Sequence, residues 1–369
     1  MRAGKCSCAK SFYFSPSYSS PSRLSKEATT PYGTFVYKLA HRAIRTAAVF
    51  ATMAGAYVVQ HETASKWQPS PQAWSEAGLD LPSDTISTTV GTRDGGIVHL
   101  LQRGEGRPIL LLHGVTLSAK VWAYQLQELA PTCKVIAVDL RGHGLSKAGN
   151  LGFTIEQMAD DLATVLEALD LTETILVGHS MGGMVALEYA MSHHLNNPKR
   201  VAGMLLVSTS ANPLGLPSGH TIPVKAVTQL VNTYLSMRAN AQRGVLPAGD
   251  LAAWLSRAAF GRFPLPAHVQ ITQLMLQEMS PQALAGILPS LAGFDRSRAL
   301  GRVNLPTRIL VGTADLLTPP FHARALVTGI PNSSLKLLSG AGHMLMLEQP
   351  GELRGAIREM IDGTIDRPT

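Results

Sequence analysis

The sequence predicts an α/β fold: a mainly parallel twisted sheet with helices on both faces and an inserted helical cap. Three observations carry this. From about residue 86, short β-branched or apolar runs alternate with segments of helical period, the pattern of a parallel sheet covered on both sides. Several runs, PILLLHG (108–114) among them, are apolar at nearly every position, as in strands buried on both faces. Residues 212–300 hold eight prolines and helix-period segments but no convincing strand, and read as an insertion. The 369-residue chain is long enough for a large core, and three cysteines are too few for a disulfide framework.

Residues 1–40 are rich in Ser, Pro and Tyr and read as a disordered tail. Cys6 and Cys8 lack the two further ligands that a zinc site needs. Residues 41–66 read as an apolar helix. Fifteen uncharged residues, 46–60, follow the basic pair Arg42 and Arg45. As a helix they span roughly 22 Å, short of the ~30 Å bilayer core. Two readings stand: a signal or anchor segment, which makes residues 41–60 a candidate membrane contact, or a helix docked on the body. Residues 67–85 read as linker.

The first part of the core spans 86–211. ISTTV and IVHLLQ read as two strands around the turn Asp94-Gly95-Gly96. PILLLHG comes next, then Trp122, Leu126 and Leu129 at helical spacing, then the strand KVIAVDL (134–140). Thr154-Ile-Glu-Gln157 is a capping box opening a helix with Ile155, Met158, Leu162, Val165, Leu166 and Leu169 on one face. TILVGHS (174–180) is a strand with a helix behind it, and GMLLVST (203–209) another strand. The insertion, 212–300, has helical patterns over 224–239 and 267–279. The second part, 301–369, adds strands TRILVGT (307–313) and SLKLLS (334–339) and a helix carrying Leu353, Ile357 and Met360.

Charge excludes one class of function. Residues 1–66 hold nine Lys or Arg against two acids, whereas the rest holds 23 of each sign. The net charge of +7 therefore belongs to the tail. A nucleic-acid binder would place a basic stripe on the domain itself, so no nucleic-acid partner is expected.

In open α/β sheets, ligands bind beyond the C-terminal ends of the strands. Gly178-His179-Ser180-Met181-Gly182 sits there, a G-x-S-x-G directly between strand and helix. That turn presents a serine in strained backbone, and the helix N-terminus aims free N–H groups at developing negative charge. Serine needs a base, and the base an orienting acid. His343, in SGAGHMLMLEQP, follows the last strand at the same edge, between Gly340 and Gly342 on one side and the last helix on the other. Asp315, in GTADLLTPP, follows the strand before it. The expected catalytic residues are thus Ser180, Asp315 and His343, with Val115 and Met181 as oxyanion N–H donors. His179 reads as packing locally. His143, His322 and the pair His193-His194 read as structural, Asp295 lacks a strand context, and Glu348 reads as support for the turn into the last helix. DLRGHGLS (139–146) lacks the third glycine of a dinucleotide loop, since position 147 is Lys. With no P-loop, H-E-x-x-H or paired-cysteine motif, no cofactor and no metal are expected.

These motifs, HGVTLSAKVW, DLRGHGLS, GHSMGG, GTADLLTPP and AGHMLMLEQP, make residues 86–364 resemble the α/β-hydrolase superfamily, on its serine esterase or lipase-like side with a helical cap. The resemblance implies the same triad and oxyanion donors and a cap over the pocket. Serine at the elbow disfavours the epoxide-hydrolase and haloalkane-dehalogenase branches, which resemble this chain but carry aspartate there. The expectation is a serine hydrolase cleaving a carboxylic ester of a small or lipophilic acyl group, with a small-molecule ester as its partner. Metal-free haloperoxidase (perhydrolase), thioesterase and carbon–carbon bond hydrolase activities stand as alternatives, and a non-catalytic receptor is disfavoured by the intact triad positions. The insertion is apolar but seven of its ten charges are basic, which also admits a carboxylate-bearing substrate. The sequence leaves oligomeric state open and places the chain either in the cytoplasm or at, or across, a membrane.

Overall fold

A computed structural model describes residues 69–70, 72–213, 253–254 and 256–363. The expected tail 1–40, the apolar segment 41–66 and the helical pattern 224–239 lie outside the described residues. No described helix is long and apolar enough to cross a membrane.

Eight strands form one sheet: β1 (Ile86–Gly91), β2 (Ile97–Arg103), β3 (Arg107–Leu112), β4 (Cys133–Val138), β5 (Thr174–His179), β6 (Val201–Val207), β7 (Thr307–Gly312) and β8 (Ser333–Leu338). Their order is β1-β2-β4-β3-β5-β6-β7-β8. β1 and β2 form the antiparallel hairpin that Asp94-Gly95-Gly96 predicts, and β2 continues antiparallel to β4. Every other pairing is parallel. All six residues of β5 are buried, as a centrally placed strand with no polar alternation requires.

Helices cover both faces. They are α1 (Ala123–Leu129), α2 (Ile155–Ala168), α3 (Met181–Ser192), α4 (Pro266–Glu278), α5 (Pro281–Gly293), α6 (Pro320–Gly329) and α7 (Pro350–Ile361). Side chains alternate across a strand, and the core splits accordingly. Leu110, Leu112 and Leu176 join one cluster with α2, α3, α5 and α6; Ile109, Leu111, Ile175 and Val177 join the other with α1, α4 and α7. Full burial of each such side chain stabilises by about 1.5–3 kcal/mol. The capping box starts α2 as expected, the Thr154 hydroxyl accepting from the Gln157 N–H at 3.2 Å.

Strand ends differ from expectation by one or two residues. β3 stops at Leu112, and just beyond it the His113 ring ties the turn down: its Nδ1–H donates to Gly114 O at 2.7 Å and its Nε2 accepts from Leu140 N–H at 3.0 Å. The DLRGHGLS turn is pinned by a fully buried guanidinium. Arg141 pairs with Asp94 and with Asp161, each at 2.6 Å, fastening the turn to the β1–β2 hairpin and to α2. Between β6 and β7 runs the inserted segment, whose described part contains α4 and α5. Parallel register aligns the C-terminal ends: Leu112 faces Gly178, and Val207 faces both His179 and Leu310. The segments after β3, β5, β6, β7 and β8 therefore emerge along one edge.

Candidate active site

The strand-to-helix turn after β5 is built around one residue in a disfavoured conformation. Ser180 has φ 51° and ψ −117°, a region that a non-glycine residue occupies at a cost of about 1–3 kcal/mol. The Ser180 N–H donates to Val207 O at 2.9 Å, and Ser180 O accepts from the Thr209 hydroxyl at 2.6 Å and from the Gly183 N–H. The flanking glycines allow the close packing. A Cβ on Gly178 would lie 2.5 Å from Gly182 O, and one on Gly182 would lie 2.3 Å from Leu112 O. Neither contact is one a real side chain makes.

Asp315 follows β7 and is 2% exposed. Its Oδ1 accepts the N–H groups of Leu317 and Thr318, both at 2.9 Å, and its Oδ2 accepts the Thr318 hydroxyl at 2.9 Å. The His343 Nδ1–H donates to the same carboxylate, 2.9 Å from Oδ2. Burial pushes the Asp315 carboxyl up, but the charge and hydrogen bond of His343, with the two Thr318 donors, bring it down to about 2. The group is ionised at neutral pH, and with Nδ1 engaged, His343 has Nε2 free for a proton.

The loop carrying His343 is tied down by its peptides. Glu348 accepts N–H groups from both neighbours, Gly342 at 3.1 Å and Met344 at 3.2 Å, and a third from Gly261 of the inserted segment at 2.7 Å. The His343 N–H donates to Ala259 O at 2.8 Å. The His343 carbonyl accepts from His179 Nε2 at 3.0 Å. Glu348 thus does more than support the turn into α7: it joins the His343 loop to the insertion.

Ser180 and His343 line one cavity of about 420 Å³, together with Val115 and Thr318. Its walls are mostly apolar, with Met184 from α3, Leu276 from α4, Leu288 and Leu291 from α5, and Leu316 and Leu317 beside Asp315. The described lining carries no Lys, Arg, Asp or Glu. Met181 is the first residue of α3, so its N–H is one of the four without an intrahelical partner. The Val115 N–H likewise has no hydrogen-bond partner among the described residues. Val115 lies in the turn after β3, where the next residue, Thr116, has φ 66°.

The structure therefore brings all five sequence-predicted residues to one edge of the sheet. His143, His193, His194 and His322 do not line the cavity. His143 is buried, its Nδ1–H donating to Arg141 O at 3.1 Å. His193 pairs with Asp160 at 2.8 Å on the surface of α2 and α3. His322 Nδ1 bonds the Ser210 hydroxyl at 2.7 Å. Asp295 caps its own turn through Ser297. Sequence reasoning passed over Thr318, whose place three residues after Asp315 fits an Asp side chain capping the backbone behind it. It also passed over Ser256 and Thr272 on the cavity wall, for which the sequence carries no signal.

Comparisons with known proteins agree with this architecture. A family profile described as alpha/beta hydrolase fold matches residues 107–350. The AB hydrolase superfamily protein YisY of Bacillus subtilis is 30% identical over 261 residues, which cover 69% of this chain and 92% of that protein. A thermophilic esterase from Thermogutta terrifontis superposes with a TM-score of 0.62 at 30% identity, covering 76% of this chain and 99% of the esterase. An esterase from Exiguobacterium antarcticum has a TM-score of 0.67 at 22% identity, covering 75% of this chain and all of that one; at that identity the likeness is one of fold.

Proposed function

This chain belongs to the alpha/beta hydrolase fold family, and from that premise we propose that it is a serine hydrolase cleaving carboxylic esters of small or lipophilic, uncharged acyl groups. The carrying observation is the shared cavity: a strained serine and a histidine hydrogen-bonded to a buried carboxylate face the same apolar space.

In this reading Asp315 holds the His343 imidazole with its proton on Nδ1. Nε2 takes the Ser180 hydroxyl proton as Oγ attacks the ester carbonyl. The carbonyl oxygen, now negative, is held by the N–H groups of Val115 and Met181, each donor worth on the order of 3 kcal/mol in the transition state. His343 returns its proton to the departing alcohol. A water then gives a proton to Nε2, attacks the acyl-enzyme, and releases the acid as Ser180 regains its hydrogen. Thr318 steadies the Asp315 carboxylate through its hydroxyl and N–H. α4 and α5 act as the cap, and their leucines receive the acyl chain. The uncharged lining favours an apolar acyl group over a carboxylate-bearing one. The esterase from Thermogutta terrifontis supports the ester reading.

The test is a panel of p-nitrophenyl esters from acetate to dodecanoate, set against acyl thioesters. Hydrolysis is expected to peak at short to medium chains and to vanish in Ser180→Ala. Turnover retained by that variant, or a strong preference for thioesters, overturns the assignment.

A further inference from the structure

We propose that His179, the residue preceding Ser180, is a positioning residue that ties the His343 peptide to the element carrying the nucleophile. The proposal rests on the reading of Ser180 and His343 as nucleophile and base. Around His343, the backbone ties run to its own loop, to the insertion and, through Gly340 N–H and Ala341 O, to the segment after β7. Glu348 takes the N–H groups on either side, and Ala259 O takes the N–H of His343 itself. The one bond from this backbone to the nucleophile turn, among the described residues, is His179 Nε2 to His343 O at 3.0 Å.

The chemistry of that bond sets the state of His179. A carbonyl only accepts, so Nε2 carries the proton and Nδ1 is bare. Nδ1 is buried and has no partner among the described residues. Burial, followed by the charge of His343, drives the His179 pKa well below the ordinary value. His179 is therefore a neutral donor that does not compete for the serine proton. Its ring is also clamped. It lies 4.7 Å from the His343 ring, tilted by 60°. On the other side, a Cβ at Gly114 would stand only 2.8 Å from Nδ1.

A single side chain thus spans the nucleophile turn, the turn after β3 and the base loop. Its peptide directly precedes Ser180, so the lever between nucleophile and base is one residue long. Proton transfer depends steeply on that separation, and a shift of about 1 Å costs on the order of a hundredfold in rate. A ring that only filled space would need no donor at Nε2. Replacing the donor while keeping the bulk separates the two roles.

Two variants of the full chain make the test. His179→Phe keeps a ring and removes the donor; His179→Gln keeps an N–H near the place of Nε2. On p-nitrophenyl butyrate, Phe is expected to lower kcat about ten- to hundredfold, with KM changed by less than about threefold. Gln is expected to restore most of kcat. The downfield proton resonance of His343 Nδ1–H reads the tether without turnover: it is expected to be sharp in the wild type and the Gln variant and broadened in Phe. Wild-type kcat with an unaltered resonance in Phe overturns the proposal, as does a Gln variant as impaired as Phe. If Phe does not fold, His179→Leu takes its place. A chain that hydrolyses no ester, yet whose resonance responds in this order, sinks the hydrolase reading and leaves the tether standing.

Discussion

Among the described residues two sets of serine, histidine and aspartate stand out, and by hydrogen bonding alone the set outside the cavity looks better. In the first, Ser87 Oγ lies 2.8 Å from His99 Nε2, and His99 Nδ1 lies 2.8 Å from Asp139. In the second, Ser180 and His343 share a cavity and His343 Nδ1 lies 2.9 Å from Asp315. The difference is in what surrounds them. Ser87 sits in regular strand, opposite Leu101 in the β1–β2 ladder, and neither it nor His99 lines the cavity. Asp139 also accepts the N–H groups of Ala119 at 2.6 Å and Leu145 at 3.0 Å, so its carboxylate is engaged in folding two turns. Ser180 instead occupies a positive-φ conformation at a helix N-terminus, beside an apolar cavity and unpaired N–H groups. A nucleophile is made by backbone geometry, a cavity and donors for the oxyanion; a Ser-His-Asp hydrogen-bond order is not enough.

The sharpest way to break this comparison is to remove each serine. Ser180→Ala is expected to lower kcat on p-nitrophenyl butyrate by about 10⁴–10⁶, whereas Ser87→Ala changes it by less than about twofold. Equal losses would dissolve the distinction. The aspartates come next. Asp315→Asn is expected to cost about 10³–10⁴ in kcat, because it upsets the imidazole tautomer, and to lower the urea midpoint as well, since its carboxylate accepts a histidine and two backbone N–H groups. Asp139→Asn should lower stability comparably, by about 2–4 kcal/mol, since its carboxylate also holds a histidine and two backbone donors, but spare kcat because it lies away from the cavity.

Acid separates the regions by a third route. Burial, with the neighbouring His113 charge, lowers the His143 pKa from 6.5 to about 3, and burial also lowers that of His113. An unfolded chain binds those protons more readily, so the stability these histidines contribute is present above about pH 6.5 and lost as pH falls toward 3. The Asp315 carboxyl, brought down from 3.8 to about 2, has the same sign in a lower window: its contribution is present above about 3.8 and lost only as pH falls through 2. Urea midpoints at about pH 7, 5.5 and 4.5 should decline, with a shallower slope in His143→Gln and an unchanged slope in Asp315→Asn. Within the cavity the smallest effect is expected at Thr318. Thr318→Val removes one hydroxyl from the Asp315 carboxylate and should lower kcat by about three- to tenfold, measured against an unchanged Tm.

Much of this was legible in the chain. Period-2 and fully apolar runs marked the strands, the capping box marked α2, and the strand-turn-helix context marked Ser180 as distinct from the other serines. Asp315 and His343 were legible because each sits just past the end of a strand, and parallel strands deliver their C-terminal loops to one edge. Strand ends were less so: β3 ends at Leu112, and the next residue, His113, turns its ring to Leu140, a partner 27 residues away. Glu348 was read as supporting one turn, yet it also takes the N–H of Gly261, 87 residues earlier. His179 was read as packing locally, while its ring donates to a carbonyl 164 residues on.

By itself, then, the sequence determined the α/β class, the edge of the sheet that carries the candidate site and the residue types that meet there. Those come from side-chain period, turn preference and strand direction, which act over a few neighbouring residues. Tertiary structure decided which histidine–aspartate pair faces a cavity and which buries itself in a turn. It also decided that the loop of His343 hangs from the insertion and from the serine turn. Such choices rest on hydrogen bonds and excluded volume between distant segments, and no local pattern records them.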